Sequence, residues 1–280
     1  MSEKVTFEYC DKLVEDFERA VEHPIKSNSK VYYTGVDLGT ACVVVAVLDE
    51  NRRPVAGAYQ YADVVRDGMV VDYIGAINIV RRMKEELEEK LDTELLYAAA
   101  AIPPGTDGLD SGAIKNVVQA AGFELTNLLD EPTAANEVLK MENGAVVDIG
   151  GGTTGISILK DGKVIHVVDE PTGGTHFTLV ISGAYKMEFN KADEYKRDDR
   201  NHKELQPVLK PVVEKVSTII SQNIEGFDVE EIALVGGTSL LTGIEDVVEK
   251  QTGIKTHKPK NPMFVTPLGI ALSCTADIMD

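Results

Sequence analysis

The chain has 280 residues, of which 43% are hydrophobic and 26% charged, a composition typical of a globular protein with one large core or two moderate ones. Its formal net charge of −18 argues against a nucleic-acid or anionic-membrane partner, because such polyanions would be repelled. Any phosphate ligand must therefore bind through backbone amides and a metal ion. The three cysteines are scattered and no apolar run approaches the length of a membrane span, so we expect a cytosolic protein with reduced thiols.

The first element in the chain is a predicted amphipathic helix. Apolar residues recur at helical spacing between residues 5 and 21, which predicts about four turns. Pro24 and the polar segment 26–30 then predict a linker. Two interpretations remain open, a helix packed on its own domain and a helix that docks its apolar face on a partner.

An acid–glycine turn follows the first predicted strand. Residues 31–39 deliver Asp37, Gly39 and Thr40 to a turn, and a β-branched strand leads away from it. The next segments predict a strand over 54–64, a turn at 67–68, a helix from residue 73 with Lys84 on its polar side, a small-residue strand over 97–102 and a stop at 103–105.

An acidic pair precedes the predicted helix that begins near Pro132. After a predicted helix over 110–121 and a strand over 125–129, Asp130 and Glu131 come before Pro132, which suits the first position of a helix. Glu131 either serves the helix dipole or points into a ligand cleft.

The most informative stretch is 146–158, a strand, Asp148, three glycines, two threonines and a second strand. Consecutive glycines leave backbone amides uncovered, which suits a loop that wraps an anion, and a carboxylate beside a phosphate indicates a divalent cation between them. The alternative is a tight glycine hairpin in which Asp148 caps the turn. The earlier turn at Asp37 repeats the pattern, and this favours two carboxylates and two glycine turns that face each other across a cleft.

The remaining segments add two more glycine pairs. Residues 161–162 predict a turn, and Gly173-Gly174 before a helical run from Leu179 predicts a second amide nest for phosphate. The highly charged run 192–203 predicts a solvated face. The last predicted elements are a helix over 205–224, a strand over 232–235 that leads to Gly236-Gly237-Thr238, a helix over 244–251 and a small-residue helix over 267–272.

These motifs, in this order, resemble the phosphate-1, connect-1, phosphate-2, adenosine and connect-2 motifs of the actin/Hsp70/sugar-kinase ATPases. Within that superfamily the chain is similar to the EutJ-type proteins of bacterial ethanolamine-utilisation operons, which are described as chaperone-like. The similarity lies in the N-terminal extension and in residues 61–68, 103–107, 148–155 and 194–197.

The resemblance implies an α/β fold with two ribonuclease-H-like domains, each a mixed sheet flanked by helices, and a nucleotide cleft between them. We expect residues 1–30 as the N-terminal helix and linker, 31–137 with 265–280 as domain I, and 138–264 as domain II. ATP or ADP with Mg²⁺ is the implied cofactor, and ethanolamine-utilisation enzymes or microcompartment proteins are the implied partners, in the cytoplasm.

The resemblance also implies residue roles. Asp37 and Asp148 would hold a hydrated Mg²⁺, and Glu131 would orient the attacking water. Those expected to contact the nucleotide are Gly39, Thr40, Gly150, Gly151, Gly152 and Thr153 at the phosphates; Gly173 and Gly174 at the phosphates or sugar; Asp193, Lys196 and Arg197 at the ribose and base; and Gly236, Gly237 and Thr238 under the adenosine.

The chain departs from Hsp70 chaperones in ways that predict slow hydrolysis. The segment after the first turn is too short for their cationic phosphate ligand, Leu240 stands where an arginine stacks on adenine, and we expect no peptide-binding domain. The leading hypothesis is an ATP- and Mg²⁺-binding switch protein of the ethanolamine-utilisation microcompartment with weak or partner-stimulated hydrolysis. The alternatives are a reactivating factor for a cobalamin-dependent ammonia-lyase, an actin-like filament protein and a small-molecule kinase.

Overall fold

The computed structural model describes residues 7–66, 68–103 and 108–276. Several predicted features lie outside these residues: the start of the first helix at 5–6, Asp67 of the predicted turn, the stop signal and motif residues at 104–107, and the end of the chain at 277–280. The described residues form two compact units. Unit 1 takes the residues up to Lys140 together with those from Phe264 onward, and unit 2 is Met141–Met263.

Unit 1 is built on a five-stranded mixed sheet with the strand order β3-β2-β1-β6-β7. The first three strands are antiparallel, whereas β1, β6 and β7 run parallel. A small hairpin, β4 and β5, follows β3. The strands are β1 (Tyr33–Leu38), β2 (Cys42–Leu48), β3 (Pro54–Tyr61), β4 (Val65–Arg66), β5 (Met69–Val70), β6 (Tyr97–Ile102) and β7 (Glu124–Asp130).

Unit 2 repeats this sheet with the order β10-β9-β8-β11-β12. Its first three strands are again antiparallel, and β8, β11 and β12 are parallel. The strands are β8 (Gly144–Ile149), β9 (Thr154–Lys160), β10 (Lys163–Glu170), β11 (Glu231–Val235) and β12 (Lys255–His257).

Helices flank both sheets. Those of unit 1 are α1 (Glu8–Glu22), α2 (Tyr73–Leu91), α3 (Gly108–Ala120), α4 (Glu131–Leu139) and α9 (Val265–Ser273), and those of unit 2 are α5 (Gly174–Tyr185), α6 (Phe189–Arg197), α7 (His202–Ile224) and α8 (Ile244–Thr252). Each unit has its own apolar core, which the aliphatic residues of its strands form with the inner faces of these helices. No helix among the described residues is long and apolar enough to cross a membrane.

The N-terminal helix α1 is part of unit 1. Its predicted apolar residues Cys10, Leu13, Val14 and Phe17 are buried. The Phe17 ring meets Phe264 edge-on at 5.1 Å, and a side chain on Gly57 of β3 would overlap it. The helix prediction is therefore confirmed. The interpretation in which this apolar face docks on a partner is wrong, because unit 1 already covers it.

The C-terminal helix α9 closes unit 1 against β1 and α4. A Cβ on Gly35 would lie 2.5 Å from the Ala271 nitrogen, and one on Gly269 would overlap the Ala134 carbonyl. Arg52, which stacks 3.5 Å over the Tyr33 ring, donates from Nη1 to three carbonyls at the end of α9, those of Ala271, Leu272 and Cys274. These bonds satisfy helix-terminal carbonyls that have no partner within the helix.

Two local predictions were wrong. Lys84 was placed on the polar side of α2, but it is buried, with its Nζ 2.5 Å from Glu88 Oε1 and 5.4 Å from the centre of the Phe123 ring. Helix α5 begins at Gly174 and not at Leu179. Both differences arise because tertiary contacts, a buried ion pair and a neighbouring loop, override the local sequence preference.

Candidate functional site

The loop between β8 and β9 carries Asp148 and the three glycines at its turn. Asp148 is half-buried and pairs with Gly155 across the antiparallel ladder and with Val235 on the parallel side. The turn is closed by the Gly150 amide, which donates to the Thr153 carbonyl at 3.0 Å. The sequence thus places a carboxylate at the edge of a loop without side chains, as predicted.

The first turn of α5 holds this loop in place. The amide of Gly174 donates to the Gly150 carbonyl at 2.9 Å, and the amide of Thr175 donates to the Gly151 carbonyl at 2.8 Å. The Thr175 hydroxyl adds a second bond to the Gly151 carbonyl at 3.0 Å. A Cβ on Gly173 would lie between 2.7 and 2.9 Å from backbone atoms of the loop, so the close approach requires glycine there.

These bonds decide which amides can receive an anion. Because the amides of Gly174 and Thr175 donate to the loop, the predicted amide nest at the start of α5 is wrong for this structure. By contrast, the amides of Gly151, Gly152 and Thr153 donate to no acceptor among the described residues. The loop therefore offers three consecutive donors at the end of the turn that carries Asp148.

The segment after β11 reaches the same loop. Gly236 has φ +87°, and a side chain there would overlap Asp148 Oδ1 and lie 2.7 Å from the Ile149 carbonyl oxygen. The Thr238 hydroxyl donates to the Gly150 carbonyl at 2.8 Å, whereas a Cβ on Gly237 would meet nothing within 4 Å. Three motifs that are distant in the sequence, at Gly150, Gly174 and Thr238, thus come together in unit 2.

The charged run predicted to be a solvated face contains a partly buried cluster. Lys196 lies on α6 with its side chain 14% exposed, and its Nζ contacts Asp193 Oδ1 at 2.8 Å. Arg197 Nε approaches Asp193 Oδ2 at 3.1 Å. The solvated-face prediction is therefore wrong for Asp193 and Lys196.

Burial works against both charges of this pair. Burial raises the pKa of Asp193, but Lys196, Thr178 and Arg197 together outweigh it and hold that pKa below its ordinary value. For Lys196 the loss of water dominates over the attraction to Asp193, and its pKa is lowered. The two directions differ because the partners of the carboxylate outweigh the cost of its burial. For the ammonium, the cost of burial outweighs the attraction of Asp193.

Unit 1 has the corresponding turn between β1 and β2. Asp37 is half-buried and pairs with Val44 in the antiparallel ladder. Gly39 and Thr40 form the turn, in which a Cβ on Gly39 would lie 2.8 Å from the Cys42 carbonyl oxygen. The predicted residues of the first turn are thus together on one hairpin, and their role as ligands stays a prediction.

Helix α4 begins directly after β7, and Asp130 caps it. The Asp130 carboxylate accepts from the Thr133 amide at 2.9 Å and from the Thr133 hydroxyl at 2.8 Å. Glu131 is the first helical residue and half-buried, and Pro132 is the second, not the first as predicted. Since Asp130 fills the capping position, Glu131 is not needed for it.

Sequence reasoning missed three residues that support the site. Thr175 hydrogen-bonds to the loop, and Thr178 hydrogen-bonds to the Asp193–Lys196 pair. The buried His202 bridges α6 and the end of the glycine segment, with Nε2 3.0 Å from the Lys196 carbonyl oxygen and Nδ1 accepting from the Thr242 amide at 3.2 Å. A hydroxyl directly after a glycine pair was the available signal for Thr175, and none was available for His202.

The donor set bears on the predicted metal. Within the described part of the chain, no group of three or more His, Cys, Asp or Glu side chains is placed to bind a metal directly. The candidate carboxylates are single residues, one on each turn, which suits contact with a hydrated ion through water rather than a protein cage.

Known proteins can be compared with this arrangement. Over 242 residues the chain is 44% identical to ethanolamine utilization protein EutJ of Salmonella typhimurium, a match that covers 86% of this chain and 85% of that one. The chain belongs to the EutJ family of ethanolamine utilization proteins. Residues 116–264 also match the family described as type IV pilus assembly protein PilM, which places the chain in that wider group.

Solved structures give the same assignment for the fold. The crystal structure of EutJ from Carboxydothermus hydrogenoformans matches with a TM-score of 0.91 and 44% identity, and covers 95% of this chain and 98% of that one. MreB5 of Spiroplasma citri bound to AMPPNP matches with a TM-score of 0.72 at 16% identity, over 87% of this chain and 96% of that one. The two mixed sheets flanked by helices are the actin-like fold, which confirms the predicted fold class.

Proposed function

We propose that this EutJ-family protein binds ATP or ADP with Mg²⁺ and acts as a chaperone-like switch in ethanolamine utilisation. The observation that carries the proposal is the loop 150–153. Three of its amides donate to no acceptor among the described residues, and a carboxylate lies at its edge. Slow or partner-stimulated hydrolysis of ATP then resets the switch.

Phosphate is the ligand that this loop fits best. Uncovered amides in a glycine turn bind an anion closely, and their partial charges attract it without a basic side chain. A chain with a net charge of −18 repels a bare polyphosphate, so a divalent cation must offset the charge near the loop. Carboxylate oxygens are ligands that Mg²⁺ accepts, directly or through its water shell.

We assign the same role, contact with a hydrated Mg²⁺ through water, to Asp148 in unit 2 and to Asp37 in unit 1. The bound ion would neutralise phosphate charge. Glu131 is the proposed residue that orients the attacking water, a role supported by its half-buried position and by the presence of a separate cap at Asp130.

The remaining predicted residues divide into two groups by what supports them. The proposed phosphate contacts lie in the loop 150–153 and in the turn of unit 1, and the geometry of these turns supports them. The proposed nucleoside contacts lie mainly in the segment after β11 and at the start of α5. The first group is Gly39, Thr40, Gly150, Gly151, Gly152 and Thr153; the second is Gly173, Gly174, Gly236, Gly237 and Thr238, with Asp193 and Arg197.

The relatives support the biological setting of the proposal. The EutJ family gives the ethanolamine-utilisation system as its context, so enzymes or microcompartment proteins of that system are the proposed partners. The MreB5 structure has AMPPNP bound, which supports ATP or ADP as the ligand of a protein with this fold. A partner that reads the nucleotide state would make the protein a switch.

Calorimetric titration tests the proposal. The wild type is titrated with ATP in the presence of Mg²⁺ and with Mg²⁺ removed by EDTA, and the titrations are repeated on Asp148→Asn. In the presence of Mg²⁺ we expect the variant to bind ATP at least about tenfold more weakly than the wild type, a difference of about 1.4 kcal/mol. The reason is that one carboxylate charge no longer attracts the metal ion. Asp161→Asn is the matched control, since Asp161 is an exposed acid at the β9–β10 turn of the same unit.

Two results would contradict the proposal. The first is a wild type that shows no heat of ATP binding with or without Mg²⁺. The second is an Asp148→Asn variant that binds as the wild type does. Light scattering on the same samples distinguishes a switch from a filament, because only a filament protein would scatter strongly after MgATP is added.

A further inference from the structure

The ammonium of Lys196 is saturated by protein oxygens. Its Nζ lies 2.7 Å from Thr178 Oγ1, 2.8 Å from Asp193 Oδ1 and 3.0 Å from the Gly174 carbonyl oxygen. An ammonium has three N–H donors and no acceptor, so these three contacts use all of them. No donor is left for a ribose or a base unless one of the contacts breaks.

Two of the three acceptors belong to the first turn of α5. Thr178 is fully buried, and its hydroxyl accepts from Lys196 while it lies 3.0 Å from both the Gly174 carbonyl oxygen and Asp193 Oδ1. The hydroxyl has one proton, so it donates to one of these two at a time. Lys196 therefore ties α6 to the start of α5 through a compact set of charge-assisted bonds.

A single residue connects Lys196 to the loop. The Gly174 carbonyl accepts from Lys196, while the Gly174 amide donates to the Gly150 carbonyl at 2.9 Å. A Cβ on Gly174 would lie 2.5 Å from Thr238 Oγ1 and 3.2 Å from Lys196 Nζ. Gly174 thus links the ammonium of Lys196, through its carbonyl, to the Gly150 carbonyl, through its amide, just before the three loop amides.

The energetics favour a positioning role over a stabilising one. The carboxylate of Asp193 lies between Lys196 and Arg197, which both form ion pairs with it. Burial of the ammonium removes water that the ion pair replaces only in part, so such pairs add little net stability. What such pairs do supply is a fixed geometry, because separating the two charges would leave each of them buried without an opposite charge.

We propose that Lys196 is a positioning residue for the loop 150–153, and not a ligand of the ribose or base as the family resemblance implies. Its ammonium holds the first turn of α5, whose amides hold the carbonyls of Gly150 and Gly151, and this keeps the amides of Gly151, Gly152 and Thr153 directed to a phosphate. The phosphate part of this role rests on the proposed nucleotide function.

Adenosine and MgATP separate the two roles. Lys196→Met keeps most of the length of the side chain and removes the charge, and Lys191→Met is the matched control because Lys191 is an exposed lysine on the same helix. In calorimetric titrations we expect Lys196→Met to bind MgATP at least about tenfold more weakly, with adenosine affinity within about twofold of the wild type. An equal loss for adenosine and MgATP would make Lys196 a nucleoside ligand and overturn the proposal.

Thr178 provides a second test that leaves the lysine in place. Thr178→Val keeps the side-chain shape and removes the hydroxyl, whereas Thr178→Ser keeps the hydroxyl. We expect the valine variant to weaken MgATP binding in the same selective way and the serine variant to bind as the wild type does. If the valine variant also binds MgATP like the wild type, the cluster does not position the loop. This pair carries the test if Lys196→Met fails to fold.

Amide hydrogen exchange tests the positioning role without nucleotide. The amides of Gly174 and Thr175 donate to the loop, and we expect them to exchange at least about tenfold faster in Lys196→Met than in the wild type and in Lys191→Met. Unchanged exchange would overturn the inference whatever the protein binds. Faster exchange in a protein whose wild type binds no MgATP would support the positioning role and contradict the nucleotide function, so the two failures are distinguishable.

Discussion

The turn after β1 and the loop after β8 occupy the same place in two sheets with the same strand order, yet the two units use their glycines differently. In unit 2, glycines at 173, 174 and 236 let the start of α5 and the segment after β11 approach the loop. In unit 1, Gly35 and Gly269 let α9 pack against β1 and α4. One unit thus uses close approach to shape a loop, and the other uses it to close a core.

This difference separates stability from ligand binding. A change at a close-approach glycine of unit 1 should destabilise that unit, because the atoms it would meet are backbone atoms of packed helices. A change at Gly173 of unit 2 should move the loop first, because the atoms that its Cβ would meet belong to residues 150–153. Four measurements test this difference between the units.

The largest effect is expected in unit 1 for Gly269→Ala. The new Cβ would overlap the Ala134 carbonyl, and neither helix can yield without disturbing the core, so we expect a loss of about 3 kcal/mol in the free energy of unfolding. Gly112→Ala in α3 is the control, since a Cβ there meets nothing within 4 Å. Urea unfolding followed by circular dichroism should show the control unchanged or more stable, by up to about 1 kcal/mol.

Gly173→Ala is the counterpart in unit 2. Its Cβ would lie 2.7 Å from the Gly152 carbonyl carbon, so we expect the loop to shift, with a cost of about 2 kcal/mol in unfolding free energy and loss of MgATP binding. Gly183→Ala, inside the same helix and without neighbours within 4 Å, should keep both. Loss of stability with retained MgATP affinity would show that the loop tolerates displacement and would weaken the comparison.

At the start of α4, two neighbouring acids are expected to have different roles, Asp130 in capping the helix and Glu131 in ATP hydrolysis. Asp130→Ala removes the carboxylate that caps α4 by accepting from the Thr133 amide, and it should lower the free energy of unfolding by about 1 kcal/mol. Glu131→Gln should change stability by less than about 0.5 kcal/mol but lower the ATP hydrolysis rate by about a hundredfold, if Glu131 orients water. Urea unfolding of each variant checks the changes in stability, and phosphate release checks the hydrolysis rates. A fall in hydrolysis with Asp130→Ala alone would contradict the role assigned to Glu131.

The smallest effect is expected in the acid limb of the pH dependence of stability. The pKa of Asp193 is lowered in the folded protein, so its partners stabilise the fold at pH above the ordinary value of 3.8, and that contribution is lost as the pH falls through the folded pKa. Asp193→Asn should therefore lose less stability than the wild type between about pH 5 and pH 2, by under about 1 kcal/mol. Urea unfolding at several pH values, with the exposed Asp228→Asn as control, measures the slope.

Local patterns were enough for most of the fold. The valine-rich run 43–47 and the apolar run 232–235 are strands, and the turn at 161–162 has the left-handed φ angles of 52° and 71° that its Asp-Gly sequence predicts. Such features depend on residues adjacent in the chain, so the sequence alone determines them. The resemblance then supplied the arrangement of the strands in two sheets.

Long-range contacts set what could not be predicted. Lys84 lies in a helical pattern and Lys196 in a charged run, both of which predict exposure. Only their partners explain why Lys84 is buried and Lys196 partly buried. At the candidate site, the sequence identified Gly150, Gly174 and Thr238 but not their mutual bonds, which decide that the amides of α5 hold the loop. Residues such as Thr178 and His202 carry no motif, because their function is to support others.

The contacts of Arg52 with the end of α9 join residues 219 positions apart, and the whole of unit 2 lies between them in the chain. During synthesis, at about 5–20 residues per second, unit 2 therefore emerges from the ribosome as a continuous segment before α9 does. Until then the surface of β1 around Gly35 has no helix to cover it. Unit 1 should thus complete its folding after unit 2, with the closure of a long loop as its slow step.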